Sequence, residues 1–288
     1  MVMTLSESAR AKINLTLQVL GRRDDSYHEL VSLVAFAEAG DLVELEPGVP
    51  LGLSVDGPFA DALSGDNLIL GAAWAAQTLK PGVKIGRFRL VKMLPVAAGL
   101  GGGSADAAAA LRLIARANGG ELGVADCAQI AVTLGSDVSV CLESRPALIT
   151  GRGEKVALVQ GFPHCAVLLA NPRLPLATAP VYAALRAALL STKPDPVLAP
   201  DFGDDFEALV AYLVPRGNDL ERSAAGLVPE IMEVLAALSA LTGARVARLS
   251  GSGPTCFALF ATHGEAVHAA ATLSRSHPSW WIVPSALG

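Results

Sequence analysis

The sequence predicts an α+β fold built from two domains, and three observations predict it. Strand-like segments come first and helices are interleaved later, without the regular alternation of a βαβ protein. From about residue 159 the pattern changes to β-α-α-β-β-α-β, which reads as an antiparallel sheet covered by helices. Within the first half, the stretch PVAAGLGGGSADAAAALRLIAR (Pro95–Arg116) joins a strand to a helix through four glycines. The expected domains are 1–158 and 159–288.

Composition bounds the function. The chain has 288 residues, 22 Lys+Arg against 27 Asp+Glu, and a net charge of -5. That length supports a substantial core, and the mild acidity gives no basis for a nucleic-acid surface. Mean hydropathy is +0.46, much of it from alanine. No run of 18 or more apolar residues lacks Gly, Pro or charge, so no membrane span is expected. The opening MVMTLSESARAK has no basic start leading into an apolar block, and a cytoplasmic location is expected. The cysteines, at 127, 141, 165 and 256, form no CxxC pair. Cys141 and Cys256 sit in apolar strand-like runs, which points to buried reduced thiols rather than disulfides or zinc ligands.

Taken in order, Ser8–Val19 alternates Ile13, Leu15, Leu17 and Val19 with polar residues, as a half-buried strand does. Lys12 opens it. Gly21–Leu30 is a charged turn ending in Tyr27-His28. On the residues alone that pair reads as a strand-edge aromatic and a solvated imidazole, with base stacking as the alternative. Val31–Leu45 is strand material with a turn at Gly40-Asp41, and Leu51–Val55 is a short strand. Gly65-Asp66-Asn67 caps a helix over 68–79, and Lys84–Val91 is the strand entering the glycine stretch.

That stretch has the chemistry of an anion site. Glycines allow a tight curl, Ser104 suits a helix N-cap, and the alanines that follow propagate the helix. A curled loop feeding a helix N-terminus offers free N–H groups and the positive end of the helix dipole, most naturally to phosphate. The P-loop pattern is absent, since no Lys follows Gly103. The dinucleotide fingerprint is absent too, because Ser104 stands where its last Gly would be.

Further on, Val124–Leu134 is a helix. Asp137 then sits at a turn-to-strand boundary before the apolar run Val138–Leu142, where it either closes an Asx turn or serves as a proton acceptor. Cys165–Ala170 is a buried strand, Thr178–Leu190 a helix, and Lys193–Pro200 an exposed Pro-rich run. After Asn218-Asp219-Leu220-Glu221 comes one amphipathic helix with Leu227, Ile231, Val234, Leu235, Leu238 and Leu241 on its stripe. Ser250–Thr255 is a second glycine loop, followed by strand Cys256–Phe260, helix 265–273 and strand 280–283.

Together, PVAAGLGGGSADAAAAL, AKINLTLQVLGRRDDSYHEL and SGSGPTCFALF resemble the three motifs of the GHMP small-molecule kinases, in order and over nearly the whole chain. The resemblance also takes in Asn218–Glu221. It implies a ribosomal-protein-S5-like N-terminal domain and a ferredoxin-like C-terminal domain. It further implies transfer of the ATP γ-phosphate, with Mg²⁺, to a hydroxyl of a small-molecule substrate. The AKINL and YHEL signatures point to a substrate carrying a cytidine diphosphate group. No nucleic-acid or membrane partner is implied, and a monomer or weak homodimer is expected.

The same resemblance implies roles for particular residues. Asp137 matches the catalytic aspartate and Lys12 the catalytic lysine. Pro95, Val96, Ala97, Ala98, Gly99, Leu100, Gly101, Gly102, Gly103, Ser104 and Ala105 would wrap the ATP phosphates, with Lys92 and Asn67 toward the adenine. Tyr27 and Tyr182 would sandwich the cytosine, and the backbone of His28 would read its edge. Asn14 and Thr178 would fix the substrate, with Gly251 and Gly253 near its diphosphate. No protein ligand for a metal is identified. The chain departs from the family pattern at Ser26, often Gly; at Ala105-Asp106, often Ser-Asn; and at Ser136 and Ser139 beside Asp137, often Gly and Pro. Two alternatives stay open: a GHMP kinase for another alcohol such as homoserine or mevalonate, and a non-catalytic nucleotide sensor. Both Lys12 and Asp137 are present, where a sensor should have lost them.

Overall fold

A computed structural model describes residues 4–63, 65–192 and 194–288. Its contacts fall into two compact units, each assembled from separate pieces of chain. The first comprises the chain up to Ala11, Gly40–Val96 and Gly101–Ser144; the second comprises Lys12–Ala39, Ala97–Leu100 and Arg145–Gly288.

Two strands contribute to both units: β1 (Leu5–Asn14) and the long β3 (His28–Pro47). No turn interrupts β3 at Gly40-Asp41. The glycine is required there because a Cβ would collide with the Ala9 carbonyl, and Asp41 is buried rather than turned to solvent.

In the first unit, Leu42–Pro47 of β3 pairs antiparallel with β5 (Gly86–Val91), which pairs parallel with β4 (Gly52–Asp56). Four helices accompany these strands: α1 (Leu68–Leu79), α2 (Gly102–Ala117), α3 (Val124–Leu134) and α4 (Ser136–Glu143). The other three all pack on α2. Its Ala107, Ala108, Ala109 and Ala110 are fully buried, since methyl side chains let neighbouring helices approach closely. The run 138–142 is helical, not extended. Val138 and Cys141 are buried one turn apart, and so short an apolar run does not declare its period in sequence.

In the second unit, the first part of β3 pairs with β2 (Gln18–Arg22) and with β6 (Ala147–Gly151), and β6 pairs with β7 (Lys155–Leu158). The strand expected over 8–19 breaks after Asn14, because Leu15 and Thr16 both donate to the Leu33 carbonyl, at 2.8 and 3.3 Å. A second sheet component has the order β11 (Trp281–Leu287), β8 (Cys165–Asn171), β10 (Cys256–Phe260), β9 (Val246–Leu249), antiparallel throughout. This is the split-βαβ order of a ferredoxin-like domain. Its helices are α5 (Thr178–Leu185), α6 (Phe206–Leu213), α7 (Glu221–Leu227), α8 (Glu230–Ser239) and α9 (His263–Ser276). Ile231, Val234, Leu238 and Phe260 join one apolar core.

Two expected helices are shorter than predicted. The stripe over 227–241 is split, because Pro229 lacks the N–H that would continue α7. Val228 is buried there, and Leu227 turns outward. Helix α5 ends at Leu185, with Arg186 left-handed at its C-cap. The Pro-rich run is exposed at Val197 and Leu198, whereas Lys193 lies outside the described residues. All four cysteines are buried. Among the described residues no helix is long and apolar enough to cross a membrane.

Candidate active site

In the first unit the chemistry gathers at the start of α2. The helix begins at Gly102, three residues earlier than predicted, with left-handed Gly101 (φ 62°) as N-cap. Ser104 therefore lies inside the first turn and does not cap it. No side chain caps this helix, so its first N–H groups keep the anion-binding capacity of a bare N-terminus.

Beneath this turn lies a cluster that the sequence reading did not assemble. Lys92 Nζ donates to Asp41 Oδ2 at 2.6 Å and to Asp106 Oδ2 at 2.7 Å. All three side chains are at most 4% exposed. Asp41 Oδ1 also accepts from the Met93 and Leu94 N–H groups, at 2.6 and 2.8 Å, which fixes the chain just before Pro95. Asp106 Oδ1 is buried and has no hydrogen-bond partner among the described residues. Burial pushes the Asp106 carboxyl up to about 7, against the pull of Lys92. Burial also works against the Lys92 ammonium, but the two carboxylates outweigh it and hold its pKa above the ordinary value. Nothing in the spacing of residues 41, 92 and 106 announces this meeting; only the topology makes it.

Asn67 is the N-cap of α1, with its Oδ1 accepting from the Ile69 N–H at 2.9 Å. Asp137 stands half-buried in the first turn of α4. Two residues on, the Ser139 hydroxyl is buried without a hydrogen-bond partner among the described residues.

In the second unit Lys12 is buried near the end of β1, and its N–H donates to the Leu100 carbonyl at 2.9 Å. The segment Ala97–Leu100 belongs to this unit and is stitched to the second glycine loop. Ser250 Oγ donates to the Gly99 carbonyl at 2.9 Å, and the Thr255 N–H to the Ala98 carbonyl at 3.2 Å. Only glycine fits at 99: φ is +74°, and a Cβ would strike the Ser250 carbonyl. Asn14 ties in from the other side. Its N–H donates to Ser250 Oγ at 3.2 Å and its Nδ2 to Ser32 Oγ at 2.8 Å. Asn14 Oδ1 lies against Gly251, and the Thr178 and Ser252 hydroxyls are 2.9 Å apart. The Gly253-Pro254 peptide is cis. Asn218 holds the loop from below, donating to the Leu249 and Gly251 carbonyls at 2.9 and 2.7 Å.

The aromatic residues singled out in sequence meet in this unit as well. The rings of His28 and Tyr182 are 4.8 Å apart. Tyr27 is 53% exposed, its N–H anchored to Asp25 Oδ1 at 3.1 Å. Burial and the Arg22 charge lower the His28 pKa, so the imidazole is neutral at pH 7. The Arg152 guanidinium, from the turn between β6 and β7, lies 4.7 Å from the Tyr27 ring centroid, a contact the sequence did not signal. The His28 and Tyr182 rings, with exposed Tyr27 next to His28 in the chain, are surfaces suited to receiving a flat heterocycle.

Comparison with known proteins identifies the family. The family described as GHMP kinases N terminal domain matches residues 67–145, and GHMP kinases C terminal matches residues 204–279. The chain is 47% identical to the 4-diphosphocytidyl-2-C-methyl-D-erythritol kinase of Methylobacterium radiotolerans, covering 98% of this chain and 99% of the relative. It is 48% identical to the same-named kinase of Parvibaculum lavamentivorans, covering 99% and 98%. A crystal structure of 4-(cytidine 5'-diphospho)-2C-methyl-D-erythritol kinase superimposes with a TM-score of 0.78 at 34% identity, over 99% of both chains.

Proposed function

The chain belongs to the GHMP kinase family, and we propose that it phosphorylates the 2-hydroxyl of 4-diphosphocytidyl-2-C-methyl-D-erythritol with ATP. The products are the 2-phosphate and ADP, in the non-mevalonate route to isoprenoid precursors. The observation that carries this reading is full-length identity of 47% to a kinase named for that substrate. The contact of the His28 and Tyr182 rings, with exposed Tyr27 adjacent to His28 in sequence, supports it, because only a substrate bearing a base needs stacking surfaces.

Each residue then has a physical task. The free N–H groups at the start of α2 receive the ATP phosphates. Asp137 accepts the proton of the substrate hydroxyl. Lys12, matching the family's catalytic lysine, supplies a cation to steady negative charge during the transfer. Tyr27 and Tyr182 stack on the cytosine, the His28 backbone reads its edge, and Asn14 and Thr178 fix the polyol. Lys92 reaches the nucleotide through the backbone of its segment, since its ammonium is bound to two buried carboxylates. No group of three His, Cys, Asp or Glu gathers as a metal cage among the described residues. Mg²⁺ would ride mainly on the ATP phosphates and waters, and no protein ligand for it is assigned. When bound, the metal neutralises charge that builds on the phosphoryl oxygens.

The test is ADP release with MgATP and each of diphosphocytidyl-methylerythritol, homoserine and mevalonate. Turnover only with the first is expected, and turnover only with another alcohol removes the cytosine reading. D137A should lose on the order of 10²–10⁴ in turnover with the fold intact; unchanged turnover removes the base assignment.

A further inference from the structure

We propose that Asp106 is a positioning residue for the bound nucleotide: acting through Lys92 it fixes the first turn of α2, and its unpaired oxygen takes up a proton when phosphates arrive. The inference rests on the reading of the glycine loop as the nucleotide site.

The Lys92 ammonium lies against the first residue of α2. A Cβ on Gly102 would meet Lys92 Nζ at 3.2 Å and Asp41 Oδ2 at 3.7 Å. Asp41 holds the ammonium from one side and Asp106 from the other. Asp41 is itself fixed by two backbone N–H groups, so Asp106 is the member of the cluster with an oxygen to spare. Where family members often carry a neutral Asn, this chain carries a carboxylate. With both acids ionised, two negative charges face one positive charge in a site closed to water.

The positive end of α2 offsets part of that excess while its N–H groups are unoccupied. A polyphosphate that takes up those N–H groups claims the same positive potential and adds negative charge of its own. A proton on Asp106 Oδ1 relieves the excess. It comes from the buffer, forms one O–H bond and leaves the Lys92 contact on Oδ2 in place. The charged groups acting on Asp106 are Lys92, following β5, and Asp41, in β3; α3 and α4 also pack on α2 and carry Asp126, Asp137 and Glu143, none of which is among the charges that shift Asp106. The Asp106 carboxyl, at about 7 before any ligand binds, is placed so that a modest further push changes its protonation near neutral pH.

Calorimetric titration of wild type and D106N with MgADP tests this, at pH 8 in two buffers of different ionisation heat. Asn keeps an oxygen for Lys92 and removes the titration. A like charge brought near should raise the Asp106 pKa by on the order of one unit, so wild type should take up about 0.4 proton more than D106N. D106A should loosen MgADP binding in both buffers, and D106N should restore it. Should D106N fail to fold, D106S serves as the non-titrating variant. Binding with equal proton uptake in wild type and variant overturns the inference alone. A wild-type protein that does not bind MgADP overturns the nucleotide reading, and this inference with it.

Discussion

Two buried polar clusters, one in each unit, are built on opposite principles. The one around Asn14, Ser32, Ser250 and Asn218 is neutral. Asn14 donates to Ser32, Ser32 donates to the Thr16 carbonyl, and Ser250 passes the Asn14 N–H on to Gly99. The one around Lys92 is ionic, and one carboxylate oxygen in it has no donor among the described residues. A neutral network fixes backbone wherever donors and acceptors can be matched one for one. An ionic cluster fixes it more strongly but leaves a charge to be balanced, and that imbalance makes the second cluster responsive to pH and to anions.

The largest expected effect comes from removing the cation. Lys92→Met should cost about 3–5 kcal/mol at pH 7, because two buried carboxylates lose their only counter-charge. Denaturant unfolding measures it; a loss below about 1 kcal/mol, the range of exposed pairs, would mean that the cluster is hydrated. The neutral cluster should give less. Asn218→Ala strands two carbonyls and the Leu220 N–H, which donates to Asn218 Oδ1 at 2.9 Å, for about 2–3 kcal/mol. That loss should not change between pH 5 and 8, since nothing in the network titrates there.

The pH dependence of the ionic cluster has a definite sign. Asp106 ionises at about 7 in the folded protein against an ordinary 3.8. Its contribution is therefore fully present below about pH 4 and is lost as pH rises to about 7. The stability of D106N relative to wild type should rise across that window, while carboxylates common to both proteins cancel in the difference. A flat difference would mean that Asp106 keeps its ordinary pKa.

The contrast also explains what could be read from the sequence. The glycine stretch and the ferredoxin-like order of the second half were legible because each is a local pattern or a sequence of local patterns. Asp137 is expected at a turn before a strand and lies instead in the first turn of α4, since five apolar residues carry too little periodicity to tell strand from helix. Ser104 was taken for a cap because a serine before an alanine run is the ordinary cap signal, whereas left-handed Gly101 does that work. Asp41 was read as a turn residue after a glycine, although that glycine answers to Ala9 across the sheet. The ionic cluster stayed invisible because its members are 51 and 14 residues apart and meet only through strand pairing.

Arg152 supplies the smallest effect and the control on the comparison. Its guanidinium also meets a functional group, but at a ring that is half exposed. Water screens such a contact, so R152A should leave stability and the KM for ATP unchanged. It should raise the KM for the cytidine substrate about two- to fivefold, the range of an exposed cation–π contact, with kcat unaffected. R152K should recover part of the loss and R152M none, because the ring responds to charge over its face and not to the length of the stem. A loss as large as that of Lys92→Met would mean that burial is not what separates the two cations.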